Sequence, residues 1–266
     1  MDLNYTDIHA HLADPRILPL AADILEESRS RGVRGILANA ARVGEWPDIV
    51  RLTANPLVYG ALGLHPFFVE EWYDGLIGDL RRALRAEPRC VAIGEIGLDF
   101  YRGRTDAARQ MEAFTTQLAL ARELNLPVIL HNRKAWPEFF DVLRQAGLPA
   151  RGGVCHHFSA SIEIARQALD AGLYLSFCGP LTYPNARRLK AVAAYAPLDR
   201  VLTETDTPDL PPERYRGQES RPFHVQDVVR ELATLRGTTE PAVAQQVETN
   251  FLAVVGDGVE WWRGKG

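Results

Sequence analysis

What most limits this chain's fold is an eightfold alternation of short β-rich runs with helix-like stretches. The runs fall near residues 4–9, 33–38, 57–64, 90–96, 127–131, 153–156, 174–177 and 201–205. Between them apolar residues recur at spacings of three and four, as in 107–124, 136–146 and 162–171, which is the period of an amphipathic helix. Short strands separated by helical crossovers cannot pair as hairpins, so the sheet is expected to be parallel. Eight units close into a ring, whose rival is an open doubly wound sheet. The sequence therefore predicts an α/β chain with one (β/α)8 TIM-barrel domain over residues 1–266 and a site at the C-terminal strand ends. Residues 239–255 read as a last helix packing outside, with Trp261 and Trp262 beyond it in outer packing.

Such a rim needs chemistry, and histidine supplies the signal. Of seven histidines, only His224 falls away from the C-terminal end of a predicted strand. His9 and His11 lie two apart on an extended run, so alternation turns both imidazoles to one face, where they can meet one cation. Glu95 stands in the apolar run Ala92-Ile93-Gly94-Glu95-Ile96-Gly97. A carboxylate there is costly unless it is paired, and a cation is the economical partner. His131 and Arg133 share a face at the end of the fifth run, which suits a metal ligand beside a phosphate clamp. In Cys155-His156-His157 only one histidine can point inward, and spacing does not say which.

The eighth run ends in Glu204-Thr205-Asp206-Thr207-Pro208. Asp206 is placed to hold a metal and to orient or deprotonate its water, and Glu204 to support the ligands from behind. His65, in Gly63-Leu64-His65-Pro66, shares the rim as a substrate contact or a structural residue. Cys90, Cys155 and Cys178 read as core residues, since no base accompanies them. No phosphate-cradling glycine loop or serine elbow occurs.

Net charge decides what this rim can hold. At −4, the chain lacks the bulk positive charge of a general nucleic-acid binder, so a phosphate substrate must meet local cations. Those are nearly all arginine, with lysine only at 134, 190 and 265. Three widely spaced cysteines and an N-terminus without a signal-peptide pattern suggest a cytoplasmic protein. No apolar run approaches the roughly 18 to 20 residues that span a membrane, and no obligate protein partner is evident.

The motifs DIHAHL, GLHP, AIGEIGLDFY, LHNRKA, HHFSAS and TETDTP, in this order and spacing, resemble the TatD-type metal-dependent deoxyribonuclease family. The likeness spans nearly the whole chain and extends to TYPNA, RGQESRP and ETNFLAVVG. It implies two divalent metal ions, for which histidine and carboxylate ligands leave Mg, Mn, Zn and Co all open. His9, His11, Glu95 and Asp206 would surround one, and Glu95, His131 and His156 the other, with Glu95 as the bridge. It also implies that His156 is the ligand of its pair, because the family usually has Cys where His157 stands. Other departures are Ser159-Ala160 in place of Ser-Gly, and Ser220-Arg221-Pro222.

The expected reaction is hydrolysis of phosphodiester bonds at DNA ends, with single-stranded DNA trimmed from the 3′ end as the substrate that the resemblance suggests. Asp206 and Glu95 would be catalytic, with His65, Arg133 and Arg102 contacting substrate. Two rivals are a small-molecule amidohydrolase or phosphotriesterase on the same barrel, and a catalytically silent metal-dependent binding protein. The fourth run carries Glu95 where the amidohydrolase pattern commonly has a bridging lysine, which favours the nuclease-type reading.

Overall fold

A computed structural model describes residues 3–256, in which eight parallel strands form one sheet in sequence order. They are Tyr5–Ala10 (β1), Val33–Asn39 (β2), Val58–Leu62 (β3), Cys90–Asp99 (β4), Val128–Arg133 (β5), Gly153–Cys155 (β6), Leu173–Phe177 (β7) and Val201–Thr203 (β8). A helix follows each in turn: Ala21–Ser30 (α1), Trp46–Leu52 (α2), Leu76–Ala86 (α3), Ala107–Leu124 (α4), Trp136–Ala146 (α5), Ile162–Asp170 (α6), Arg187–Tyr195 (α7) and Val225–Arg236 (α8). A further helix, Glu240–Val255 (α9), ends the described chain. Contacts between the ends of β8 and β1 close the ring: Ala10 bridges Thr207, and His11 N donates to the Thr207 carbonyl at 2.8 Å. The fold is a (β/α)8 TIM barrel, which removes the open sheet.

Two apolar layers follow from strand alternation. One joins outward-facing strand residues such as Ile36, Leu62 and Leu130 to the buried faces of the helices. The other takes Ile8, Leu37, Tyr59, Ala92, Ile129, Val154 and Leu202 from seven strands and nothing from α1 to α8, so it fills the barrel. Period two carries this interior upward into the polar rim. Ile129 is followed on its face by His131, Val154 by His156, and Leu202 by Glu204 and Asp206.

Helix α9 forms where the sequence predicted a helix, but does more than rest on the outer wall. Its Phe251, Val254 and Val255 join the interior layer, with the Phe251 ring 5.8 Å from that of Tyr59, so the helix closes the barrel floor. Trp261 and Trp262 lie outside the described residues. Strand ends also shift. β4 runs on to Asp99 because Gly97, Leu98 and Asp99 keep pairing with β5. β6 and β8 stop early, where left-handed backbone at His157 (φ 43°) and Asp206 (φ 55°) turns the chain away. No helix among the described residues is long and apolar enough to cross a membrane.

Candidate metal centre

The site begins with a seam between β1 and β8. Asp7, fully buried, accepts hydrogen bonds from His9 N (3.1 Å), Thr205 N (3.0 Å) and Thr205 Oγ1 (2.6 Å). One carboxylate thus fixes the backbone that carries His9 and the turn that presents Asp206. Gly97 makes the matching close approach between β4 and β5: its φ is 144°, and a Cβ there would overlap the His131 backbone.

Glu95 is the hub. Its Oε2 lies 3.3 Å from His9 Nε2 and 3.4 Å from His11 Nε2. Asp206 Oδ1 faces the same two nitrogens at 3.6 and 3.4 Å, and they are 3.2 Å from each other. Its Oε1 lies 2.7 Å from His156 Nε2, 2.9 Å from His131 Nδ1 and 3.2 Å from His65 Nε2. His131 Nδ1 and His156 Nε2 are 3.1 Å apart. Two donor clusters therefore meet through the two oxygens of one buried carboxylate.

This donor set fits divalent cations. Nitrogen and oxygen ligands about 2.1 Å from one cation lie about 3 to 3.5 Å from one another, as both clusters do. Electrostatics agree. Burial opposes ionisation of Glu95, but His156, His65 and His9 hold it well below the usual carboxylate range. Burial also opposes charge on His11, yet the Asp206 and Glu95 carboxylates push it up to about 10. His156 is likewise pushed up to about 9, against burial, chiefly by Glu95. Burial and neighbouring His156 push His9 down to about 3. The clustered carboxylates call for positive charge, which cations supply once the imidazoles are neutral.

The outer hydrogen bonds set which nitrogen is free. His11 Nδ1 lies 3.2 Å from the Asn39 carbonyl, which only accepts, so Nδ1 carries the proton and Nε2 offers its lone pair. His131 Nε2 lies 2.9 Å from Asp99 Oδ2, which leaves Nδ1 free toward Glu95. His65 is oriented the other way. Its Nδ1 accepts from Phe67 N at 3.0 Å, so in the neutral ring Nε2–H donates to Glu95. Burial pushes its pKa down to about 4, so His65 is a neutral donor to Glu95, close enough to stand with Glu95 and His131 as a third group of possible metal ligands.

The cavity above the donors has a volume of about 280 Å³. His11, Glu95, His131, His156 and Asp206 form its base, and Asp14, Glu45, Phe67, Phe68, His157 and Asp209 its sides. His157 faces this space rather than the donors. Its backbone N donates to Glu204 Oε1 at 2.6 Å, and Glu204 also accepts from Ser176 Oγ at 2.5 Å. Glu204 is buried, which pushes its pKa up to about 7, and it braces the turn behind His156.

The residues singled out in the sequence are thus distributed unevenly. His9, His11, Glu95, His131, His156 and Asp206 come together, with His65 against them. Arg133 and Arg102 do not line the cavity: Arg133 lies over the Tyr101 ring at 3.6 Å and Arg102 over the Phe67 ring at 4.5 Å. Asp7, Asp99 and Asn39, not singled out as site residues in the sequence, orient the clustered histidines and the Asp206 turn without touching the cavity. Asp7 and Asp99 stand inside DIHAHL and GLDFY, so a polar residue on an apolar strand was the available signal. For Asn39, nothing in the sequence distinguished it.

The family described as TatD related DNase matches residues 6–256. The uncharacterized metal-dependent hydrolase YcfH of Escherichia coli is 40% identical over 232 residues, 86% of each chain. YabD of Bacillus subtilis, described in the same words, is 34% identical over 249 residues, 92% of this chain and 96% of its own. The crystal structure of the TatD homolog YjjV from Escherichia coli superposes with a TM-score of 0.90 at 33% identity, covering 96% of this chain and 98% of that one.

Proposed function

Because this chain belongs to the TatD-related DNase family of metal-dependent hydrolases, we propose that it hydrolyses phosphodiester bonds of single-stranded DNA from the 3′ end, using two divalent cations. The observation that carries this reading is the division of donors about Glu95, one oxygen facing His9 and His11 and the other facing His131 and His156. His9, His11, Glu95 and Asp206 would hold one cation, and Glu95, His131 and His156 the second. Bound cations supply Lewis acidity toward a phosphoryl oxygen and lower the pKa of water, a combination suited to diester hydrolysis.

The protein's own groups account for the remaining work. Asp206 Oδ1 stands at the cavity base, 3.4 Å from His11 Nε2. Burial opposes its ionisation, but His11 and His9 beside it hold its carboxyl below the usual range, so it stands ionised and is suited to hold a cation and orient a water. His65 Nε2–H, already donating toward Glu95, can turn its proton to a phosphoryl oxygen as negative charge grows there. Arg133 and Arg102 stand outside the cavity, so their contacts are with phosphates beyond the reacting one. The cavity above the donors, about 280 Å³, would receive the reacting phosphodiester.

The test is digestion of 5′-labelled single-stranded DNA by metal-stripped protein refilled with Mg²⁺, Mn²⁺, Zn²⁺ or Co²⁺. A stepwise ladder, abolished in Glu95→Ala and Asp206→Asn, is the expected outcome. Intact DNA with every metal, together with turnover of an amide or phosphotriester, moves the assignment to a small-molecule hydrolase.

A further inference from the structure

The charges around the cavity mouth are divided. On the side of β8 and β1, Arg16 is bound by the carboxylates of Asp14 and Asp209, at 2.8 and 3.0 Å. Nearby, Arg42 pairs with Glu71. Across the ring, after β4 and at the end of β5, stand Arg102, Arg133 and Lys134. None of these three forms a salt bridge among the described residues; each instead lies over an aromatic ring. Even their neighbour Arg104 is paired, with Glu138.

In an eight-stranded ring whose order runs from β1 to β8, the β4 and β5 ends are diametrically opposite the β8 and β1 seam. The cationic side is also held in place. Phe100 N donates to the Arg133 carbonyl at 2.9 Å, and Tyr101 N donates to Asp99 Oδ1 at 2.7 Å, which ties the cluster to His131. Lys134 adopts a left-handed φ of 57°, unusual for a residue with a long side chain, and its Nζ lies 4.8 Å from the Tyr101 centroid. Tyr101 remains 51% exposed.

Resting on the phosphodiesterase reading, we infer that Arg102, Arg133 and Lys134 with Tyr101 form the track for the strand behind the reacting nucleotide, and that the strand leaves the cavity only on this side. Unpaired guanidinium and ammonium groups attract phosphates, while rings and guanidinium planes accept unstacked bases. On the opposite side, Asp14 and Asp209 outnumber Arg16 and repel a polyanion. A one-sided track admits an end and rejects an internal segment. It also reconciles a net charge of −4 with a polyanionic substrate.

The experiment is fluorescence anisotropy of 5′-labelled dT12 in EDTA, where no hydrolysis occurs, across a salt series. Each single-strand phosphate contact contributes about 0.7 to the log–log salt slope. The triple variant Arg102→Gln/Arg133→Gln/Lys134→Gln is expected to lower the slope by about 2. Arg85→Gln, which removes a charge from outer helix α3, is expected to leave it unchanged. Tyr101→Ala is expected to weaken binding at least fivefold, with recovery in Tyr101→Phe. An unchanged slope in the triple variant, or no dT12 binding by the parent chain, overturns the track. Cleavage of thymidine 5′-(p-nitrophenyl phosphate) by the metal-loaded protein tests the phosphodiesterase reading separately, because that ester has no strand to bind. Turnover with an unchanged slope removes the track alone.

Discussion

His131 Nε2 and Asp99 Oδ2 are 2.9 Å apart, so the imidazole nitrogen that faces Glu95 is Nδ1. An acidic partner behind a histidine fixes its tautomer and makes the free nitrogen a better donor, and loss of such a partner typically costs about 10 to 100-fold in metal affinity or activity. Asp99→Asn should therefore fall in that range in a competitive metal titration, with little change in unfolding midpoint. An affinity equal to the parent's would show that Asp99 does not act through His131.

Asp7 stitches the barrel closed by accepting three hydrogen bonds in a fully buried place. Asp7→Ala removes the acceptor of two buried backbone N–H groups, while the Thr205 hydroxyl keeps Thr207 Oγ1 at 2.7 Å, and it should cost about 3 kcal/mol in urea unfolding. Asp7→Asn keeps an accepting oxygen toward both N–H groups, and the Thr205 hydroxyl can reverse to accept. It should recover most of the loss. Equal losses in both variants would mean that charge, not hydrogen bonding, is what the seam requires.

Gly97→Ala places a methyl group against the His131 backbone at a φ of 144°. The strand end carrying His131 must shift, so this single carbon should lower both the unfolding midpoint and metal affinity. Gly103→Ala is the comparison. Gly103 also has a positive φ, but nothing lies near its added carbon, so it should affect stability through backbone strain without altering metal affinity.

His224 reports on stability away from the metal centre. It is buried, stacks on Tyr215 with ring centroids 3.8 Å apart, and accepts at Nδ1 from Arg221 N at 3.1 Å. Burial, reinforced by Arg221, Arg31 and Arg214, pushes its pKa down to about 4. An unfolded histidine binds its proton near 6.5, so its contribution is present above that pH and is lost as pH falls toward 4. The slope is at most about 1.4 kcal/mol per pH unit. Stability of His224→Gln should fall less steeply than the parent's between pH 6.5 and 4. Parallel slopes would contradict the assignment.

Much of the barrel and the donor set was legible because both depend on period. Alternation along β5 and the eighth run puts His131 and Asp206 on the interior face, and the strand–helix rhythm puts those faces in one ring, but the choice of His156 over His157 comes from the family resemblance and not from period. What escaped depended on the third dimension. Left-handed backbone at His157 and Asp206 has no strong signature in non-glycine residues. Arg133 shares a face with His131 in an ideal strand, but Tyr101, from the neighbouring strand's loop, draws its guanidinium outward. Closure of the barrel floor by α9 is a matter of tertiary docking, which helical period alone does not encode.

Whether Glu95 joins two cation sites is tested most directly by counting metal ions. Purified protein loaded with Zn²⁺ or Mn²⁺, freed of excess ion and measured by mass spectrometry should hold two ions per chain. His11→Ala and His131→Ala should each retain about one, while Glu95→Gln should retain neither at the same free-metal concentration. Two ions persisting in Glu95→Gln, or a single ion in the parent chain at saturation, would contradict a bridging Glu95.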